Sequence, residues 1–347
     1  MKYAIEEIFE AFGRLKVLII GDVMMDAYIW GKVERISPEA PVPIVQVKKR
    51  EKRLGGAANV ALNIQALGAT PVLCSVVGDD LEGEAFVRLL EERQISAEFI
   101  VKSNERPTTV KERVIAGSQQ MLRVDSEDSD LLSNAESQAL MERIQAALPQ
   151  CDVVVFQDYD KGVLNRERIA QIIRWTEEKG IPTAVDPKKR NFLYYRGATL
   201  FKPNLKELKE GLLSEDLALH KEKHETSLSV EEAVAQASGR LKQLMSVNST
   251  FITLSEKGVF IDAAYLKQAE QHLIPAHLRQ ISDVSGAGDT VISIAALALA
   301  LKLPPRLLAE LANLGGGIVC EYTGVVPIKR ERLLQEAQRL LNSIHPG

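Results

Sequence analysis

The chain has 347 residues, 46% of them apolar and 26% charged, the ordinary balance of a water-soluble globular protein. Its 43 Lys and Arg against 47 Asp and Glu give a formal net charge of −4, which offers no chain-wide basic footprint for nucleic acid or an anionic membrane surface. The longest apolar stretch, residues 291–301, is too short to span a bilayer, Glu6, Glu7 and Glu10 are wrong for a secretory signal, and the three cysteines show no Cys-x-x-Cys spacing. A cytoplasmic protein with reduced thiols is expected.

In chain order, residues 3–12 have helical spacing and residues 16–21 (KVLIIG) form an apolar run of the buried-strand kind. In residues 40–47, Pro41 and Pro43 exclude the middle of a sheet, and the alternation that follows fits an edge strand or a small appended sheet. Gly55-Gly56 opens an alanine-rich helix through about residue 67, and a strand follows at 71–77. Helices are predicted over 81–93, 133–148, 166–179 and 230–245, and strands over 108–116, 152–156, 182–186, 200–202 and 251–254. A last helical region runs from Gly286 onward, and 221–229 reads as a surface loop. Strands separated by helices of ten or more residues imply crossover connections and a mainly parallel sheet covered on both faces. Residues 1–347 are therefore expected to form one large α/β domain, with β excursions near 28–48 and 108–124.

The most informative segment is Asp283-Val284-Ser285-Gly286-Ala287-Gly288-Asp289, which runs into an alanine- and leucine-rich helix. Two glycines one residue apart allow a tight turn and close approach of a ligand, and the unpaired N–H groups of the helix start make an anion site. Asp289 is then either a helix cap or a base held beside a phosphate, and this turn alone does not decide between them.

The segment resembles the second signature of the ribokinase (pfkB) family of carbohydrate kinases. Gly55-Gly56-Ala57-Ala58-Asn59 is similar to that family's first signature. Asn204-Leu205-Lys206-Glu207 resembles its N-x-x-E motif, and Thr253 to Gly258 its strand-to-turn at the nucleotide. The resemblance covers nearly the whole chain and implies a ribokinase-like three-layer sandwich with a small β-sheet lid. It implies ATP and Mg²⁺ as cofactors, Asp289 as the base, and Gly286, Ala287 and Gly288 as the turn that stabilises the γ-phosphoryl. Glu207 would organise Mg²⁺ through water, while Asn204, Lys188, Thr253, Gly258, Asn313 and Gly316 would line the nucleotide site. Bland readings stand beside these: a solvated helix residue for Glu207, a strand end and turn for Thr253 and Gly258, a close helix contact for Gly316. The resemblance also implies a homodimer formed through the lid.

For the sugar, Asp22 and Asp26 follow a buried strand, so both carboxylates are expected at a strand end, where ligands of open α/β sheets bind, unless they merely cap the next turn. Gly55, Gly56 and Asn59 are expected beside them. The run Arg35 to Pro43, with Gly55 to Ala61, resembles the kinase domain of heptose 7-phosphate kinases, which phosphorylate the anomeric hydroxyl of D-glycero-D-manno-heptose 7-phosphate for lipopolysaccharide precursors. Gln157 to Gly162 resembles their D-Y-x-K-G segment and Asp186-Pro187-Lys188 their D-P-K, although Lys189-Arg190 stands where glycine is more usual. Alternation puts Thr109, Lys111 and Arg113 on one strand face, where they either bind the substrate phosphate or form a solvated edge; Arg123, Gln119 and Gln120 are weaker candidates. No His-x-Gly-His motif is present, so a kinase without nucleotidyl transfer is expected. Kinases of ribose, fructose 1-phosphate or tagatose 6-phosphate, and a non-catalytic sugar or nucleotide sensor, are the competing readings. A Rossmann dehydrogenase lacks its Gly-x-Gly-x-x-Gly after the first strand.

Overall fold

A computed structural model describes residues 4–117, 119–213, 229–266 and 268–344. Residue 3 of the predicted first helix, and all of the predicted loop at 221–229 except Ser229, lie outside the described residues. The strands in chain order are β1 (Lys16–Gly21), β2 (Val23–Ile36), β3 (Pro43–Gly56), β4 (Thr70–Gly78), β5 (Ile100–Ser103), β6 (Val110–Ala116), β7 (Gln119–Ser126), β8 (Val153–Gln157), β9 (Thr183–Asp186), β10 (Leu200–Phe201), β11 (Ser249–Thr253), β12 (Val259–Ala263) and β13 (Glu270–Ile274). The helices are α1 (Ile5–Phe12), α2 (Ala57–Ala66), α3 (Leu81–Glu92), α4 (Asn134–Ala147), α5 (Arg166–Lys179), α6 (Leu205–Leu213), α7 (Val230–Met245), α8 (Ala287–Ala300), α9 (Pro305–Val319) and α10 (Arg330–Ile344).

Nine strands form the central sheet in the order β13-β12-β11-β10-β9-β8-β1-β4-β5. All neighbours are parallel except at the β12 end, where β12 runs antiparallel to both β11 and β13. Successive strand residues face opposite sides, and the apolar runs accordingly feed two cores. Val17, Ile19, Val153 and Val155 pack with α1, α2, α8 and α9, whereas Leu18, Ile20, Val154 and Phe156 pack with α4, α5 and α7. This is the three-layer α/β sandwich expected. Cys74 and Cys151 are buried free thiols whose ionisation burial pushes well up, Cys151 to about 12.

A separate four-stranded sheet has the order β3-β2-β6-β7. Pro43 is the first residue of edge strand β3, a position that needs no donated N–H. Both long strands exceed the predicted excursion. Residues 48–53 (KKREKR) carry no apolar alternation, and pairing with β2 plus the Lys49–Glu51, Arg53–Glu51 and Lys52–Glu82 ion pairs hold them extended instead. β7 is exposed along its whole length and β13 is largely polar, so neither shows a burial pattern in sequence. The predicted C-terminal helix is divided by Pro304 and Pro305 at the start of α9.

Gly21 closes β1 where the chain enters the site. A Cβ there would lie 1.8 Å from the Gln157 carbonyl oxygen of β8. Gly21→Ala must push β1 from β8, and we expect urea denaturation to show a loss of about 2–4 kcal/mol.

Candidate active site

The sequence around Asp283 builds a rigid turn before α8. Asp283 accepts from the Ser285 N–H and hydroxyl (2.9 and 2.8 Å) and from the Gly324 N–H (2.9 Å). Burial pushes the Asp283 carboxyl up, but these hydrogen bonds overcome it and hold the group below its ordinary range. Gly286 takes the left-handed conformation (φ 79°) that favours glycine and caps α8. The Ala287 N–H donates to the Val284 carbonyl at 3.3 Å and the Thr290 N–H to the Gly286 carbonyl at 3.1 Å. Among the described residues no acceptor is recorded for the N–H groups of Gly288 and Asp289. At this helix start the N–H groups of Gly288 and Asp289 are thus left open, with Ala287 engaged in the turn.

Asp289 does not cap its own helix. Only 5% exposed, its carboxylate turns inward and accepts from Asn59 Nδ2 (2.7 Å) on one oxygen, and from Tyr159 Oη (2.7 Å) and Gln157 Nε2 (3.1 Å) on the other. Burial lifts its pKa to about 6, opposed by the Asn59 and Tyr159 hydrogen bonds and by Lys202, and assisted by Asp186. A carboxyl tuned into that range is suited to take a proton near neutral pH. Asn59 is fixed in turn by Asn63, which donates to the Asn59 carbonyl at 2.9 Å and accepts from the Thr290 hydroxyl at 3.0 Å.

Asp22 and Asp26 do not sit together at the end of β1. Asp22 lies between β1 and β2, and both of its oxygens are engaged by backbone: Tyr159 N–H (2.8 Å), Lys161 N–H (3.1 Å) and Val163 N–H (3.1 Å). Burial and the neighbouring Asp158 raise its pKa against these donors. Asp26 lies inside β2 and accepts from Arg113 at 2.6 Å. A Cβ on Gly55 would stand 2.3 Å from Asp26 Oδ2, and one on Gly56 2.4 Å from the Asp22 carbonyl, so the glycine pair admits the chain's own Asp22 and Asp26.

The strand carrying the predicted basic face begins at Val110, and Thr109 lies buried before it, its carbonyl accepting the Met25 N–H at 2.8 Å. Lys111 and Arg113 are 17% and 20% exposed, which is not a solvated edge. Lys111 pairs with Asp125 and Glu127, and Lys161 with the same Glu127. Arg113 and Arg53 both lie against the Tyr28 ring, 5.4 and 4.8 Å from its centroid. Of the weaker candidates, Arg123 pairs with Asp125, and Gln119 and Gln120 are exposed.

Lys202 and Asp186 form a buried ion pair at 3.0 Å. A Cβ on Gly288 would be 3.8 Å from Lys202 Nζ and 3.6 Å from Asp186 Oδ2, which places this pair beside the free N–H groups. Lys188 pairs with Glu207, and although burial opposes its charge, Asp186, Glu207 and Asp289 hold the ammonium well above its ordinary range. Asn204 and Glu207 form a reciprocal cap on α6, the Asn204 N–H donating to Glu207 (2.9 Å) and the Glu207 N–H to Asn204 Oδ1 (2.8 Å). Asn204 also bridges to Thr253 at the end of β11, which brings two predicted nucleotide residues side by side. A Cβ on Gly258 would lie 2.0 Å from the Ile274 carbonyl oxygen and one on Gly316 2.6 Å from the Val291 side chain, and Asn313 donates to the Pro275 carbonyl at 2.9 Å. Among the described residues no hydrogen bond or ion pair joins these last three to the Asp289 cluster.

Gln157, Tyr159, Asp186 and Lys202 are the site residues without a predicted role. Gln157 and Tyr159 lie in the segment Gln157 to Gly162, Asp186 in Asp186-Pro187-Lys188 and Lys202 in the predicted strand at 200–202, but their convergence on Asp289 is a tertiary fact. Removing one partner of a buried ion pair leaves the other uncompensated. We expect Lys202→Met to lose about 3 kcal/mol in urea titration, and Asp186→Asn combined with Lys202→Met to lose clearly less than the sum of the single changes.

A model described as the pfkB family of carbohydrate kinases matches residues 14–331. Proteins named bifunctional protein HldE from Syntrophotalea carbinolica and Methylobacillus flagellatus are 37% and 40% identical over 95% and 93% of this chain. The chain spans 64% and 63% of their respective lengths. Among solved structures, phosphofructokinase-2 from Escherichia coli in complex with potassium superposes with a TM-score of 0.74 at 16% identity, covering 94% of this chain and 99% of that one. Ribokinase from Arabidopsis thaliana, complexed with ribose and ATP, does so at 0.65 and 17%, covering 92% and 99%. These two share the fold, including the central sheet with helices on both faces.

Proposed function

This chain belongs to the pfkB family of carbohydrate kinases, and on that premise we propose that it transfers the γ-phosphoryl of ATP to the anomeric hydroxyl of D-glycero-D-manno-heptose 7-phosphate, in the cytoplasm. The observation that carries the phosphoryl transfer is Asp289, a buried carboxylate with its pKa near 6 beside the two free N–H groups that start α8. The sugar rests on the 37–40% identity to proteins named HldE over nearly the whole chain, together with the Asp-Tyr-x-Lys-Gly and Asp-Pro-Lys segments.

In the mechanism that follows, Asp289 takes the proton of the anomeric hydroxyl while that oxygen bonds to the γ-phosphorus. The bond from the γ-phosphorus to the bridging oxygen breaks, and ADP leaves with the electron pair. Gly288 and Asp289 N–H groups meet the charge on the transferring phosphoryl, and preorganised donors of this kind contribute several kcal/mol. Lys188 and Lys202 stand on the polyphosphate side, with Asn204 and Thr253 beyond them. Asp26, Asn59 and the Gly55-Gly56 pair stand on the sugar side. Lys111 and Arg113 would bind the substrate phosphate by exchanging their present carboxylate partners for it.

The donor set also bears on magnesium. Among the described residues no group of three or more His, Cys, Asp or Glu could hold an ion. Glu207 is engaged by Lys188 and by the α6 cap. Glu207 would hold Mg²⁺ only through water, as an ion that keeps several waters allows, and the ion would supply charge neutralisation for the phosphates.

The small sheet leaves Val33, Ile36, Val42, Val47, Met121, Leu122 and Val124 exposed. A second copy covering this sheet fits so much apolar surface, and a homodimer by light scattering at micromolar concentration is expected; a monomer would remove the dimer and leave the kinase intact.

Asp289→Asn should bind ATP as the parent does by calorimetry while ADP release falls about 10²–10⁴-fold. In the parent, coupled ADP release against a panel should favour the heptose 7-phosphate over ribose, fructose 1-phosphate and tagatose 6-phosphate. Near-normal turnover by the variant would overturn the role of Asp289, and preference for another sugar would overturn the substrate.

A further inference from the structure

The loop 158–163 is tied down more tightly than a surface connection requires. Asp22, 1% exposed, accepts three of its backbone N–H groups. Asp158 accepts from the Asp160 N–H (2.9 Å), Asn191 Nδ2 (3.0 Å) and the Tyr195 hydroxyl (2.7 Å). Asp160 sits at φ 56°, a strained value for a residue with a Cβ, and a Cβ on Gly162 would be 1.9 Å from the Asp130 carbonyl. The one side chain of this loop that reaches the reacting centre is Tyr159, whose hydroxyl donates to Asp289 Oδ1 at 2.7 Å. Its ring is flanked by Lys188, with Nζ 5.6 Å from the centroid.

We propose that Tyr159 is a positioning residue for Asp289, and that Asp22 serves phosphoryl transfer through Tyr159, by gripping its loop, without contacting the sugar. The inference rests on Asp289 being the base. Three donors meet the Asp289 carboxylate, and an incoming hydroxyl must bond one of its oxygens. Asn59 alone meets Oδ2, whereas Tyr159 and Gln157 share Oδ1. The pair on Oδ1 therefore orients the carboxylate, leaving Oδ2 as the oxygen that exchanges its partner for the sugar. A hydrogen bond to the ionised form also favours that form. The charged groups around Asp289 are Asp186, Lys202 and Lys188, with the Tyr159 phenol itself held un-ionised by burial and by Asp289.

The test is the pH dependence of kcat/KM in the parent, Tyr159→Phe, Asp22→Asn and the double variant. Asp289 has to be ionised, so activity falls below its pKa; loss of the phenol donor raises that pKa and moves the acid limb to higher pH, by about one pH unit. Asp22→Asn should move the limb the same way, and should add no further movement in the Tyr159→Phe background. The substrate's phosphate titrates nearby, but identically for every variant, so the differences alone are read. An unmoved limb in Tyr159→Phe overturns the first half. An Asp22→Asn effect that persists undiminished in the double variant, or one confined to sugar KM, overturns the second. Tyr159→Phe preserves the ring and its packing, and carbon-13 NMR titration of labelled aspartate, assigned with Asp289→Asn, reads the same shift without turnover. A parent that turns over no sugar while its Asp289 shift follows this pattern defeats the kinase reading and leaves the positioning intact.

Discussion

Everything at the site depends on keeping one carboxylate buried without spending it. Asp289 sits where α8, α2 and the end of β8 meet, and removing it from water raises its pKa towards 6. Left alone, such burial would neutralise the group. Three neutral donors, from Asn59, Gln157 and Tyr159, meet it, Lys202 helps hold it in reach of ionisation, and among the described residues no arginine or lysine forms an ion pair with it. A direct ion pair would drive the pKa down and remove the basicity that proton transfer needs. The lysines that would neutralise phosphate are instead paired with other acids, Lys202 with Asp186 and Lys188 with Glu207.

The fold supplies this arrangement through close approaches. Gly21 lets β1 run hard against β8, which carries Gln157 into place. Gly55 and Gly56 let β2 and β3 close on Asp26 and Asp22, so the start of α2 presents Asn59 to Asp289. Gly286 lets the chain turn into α8 and leaves the N–H groups of Gly288 and Asp289 without an acceptor among the described residues. The small sheet adds a paired set of charges, Asp26 with Arg113 and Lys111 with Asp125 and Glu127.

The architecture was legible because its determinants are local. Apolar runs such as residues 16–21 and 152–156, separated by helical periods, dictate buried parallel strands, and Gly-x-Gly-Asp before an apolar helix marks a tight turn into a helix start. Asn204 and Glu207 could also have been read as a capping pair, since that spacing carries the geometry in itself. The partners of Asp22 could not be read from sequence. Its partners are backbone N–H groups of residues more than a hundred positions away, and such donors leave no side-chain pattern. Lys202 and Asp186 remained unassigned for a related reason: two strand ends must first be adjacent before their charges form one pair beside Gly288. Strand β13 was missed, and β7 was anticipated only as part of the excursion at 108–124, because pairing with neighbours, and not burial, defines them.

The central claim is transfer of a phosphoryl group to the hydroxyl that Asp289 deprotonates, and phosphorus NMR of the reaction with heptose 7-phosphate follows it directly. As the γ-phosphate signal of ATP declines, a phosphate resonance coupled to the anomeric proton should grow in equal amount. Appearance of the lost γ-phosphate only as inorganic phosphate, or on another carbon of the sugar, would contradict the account.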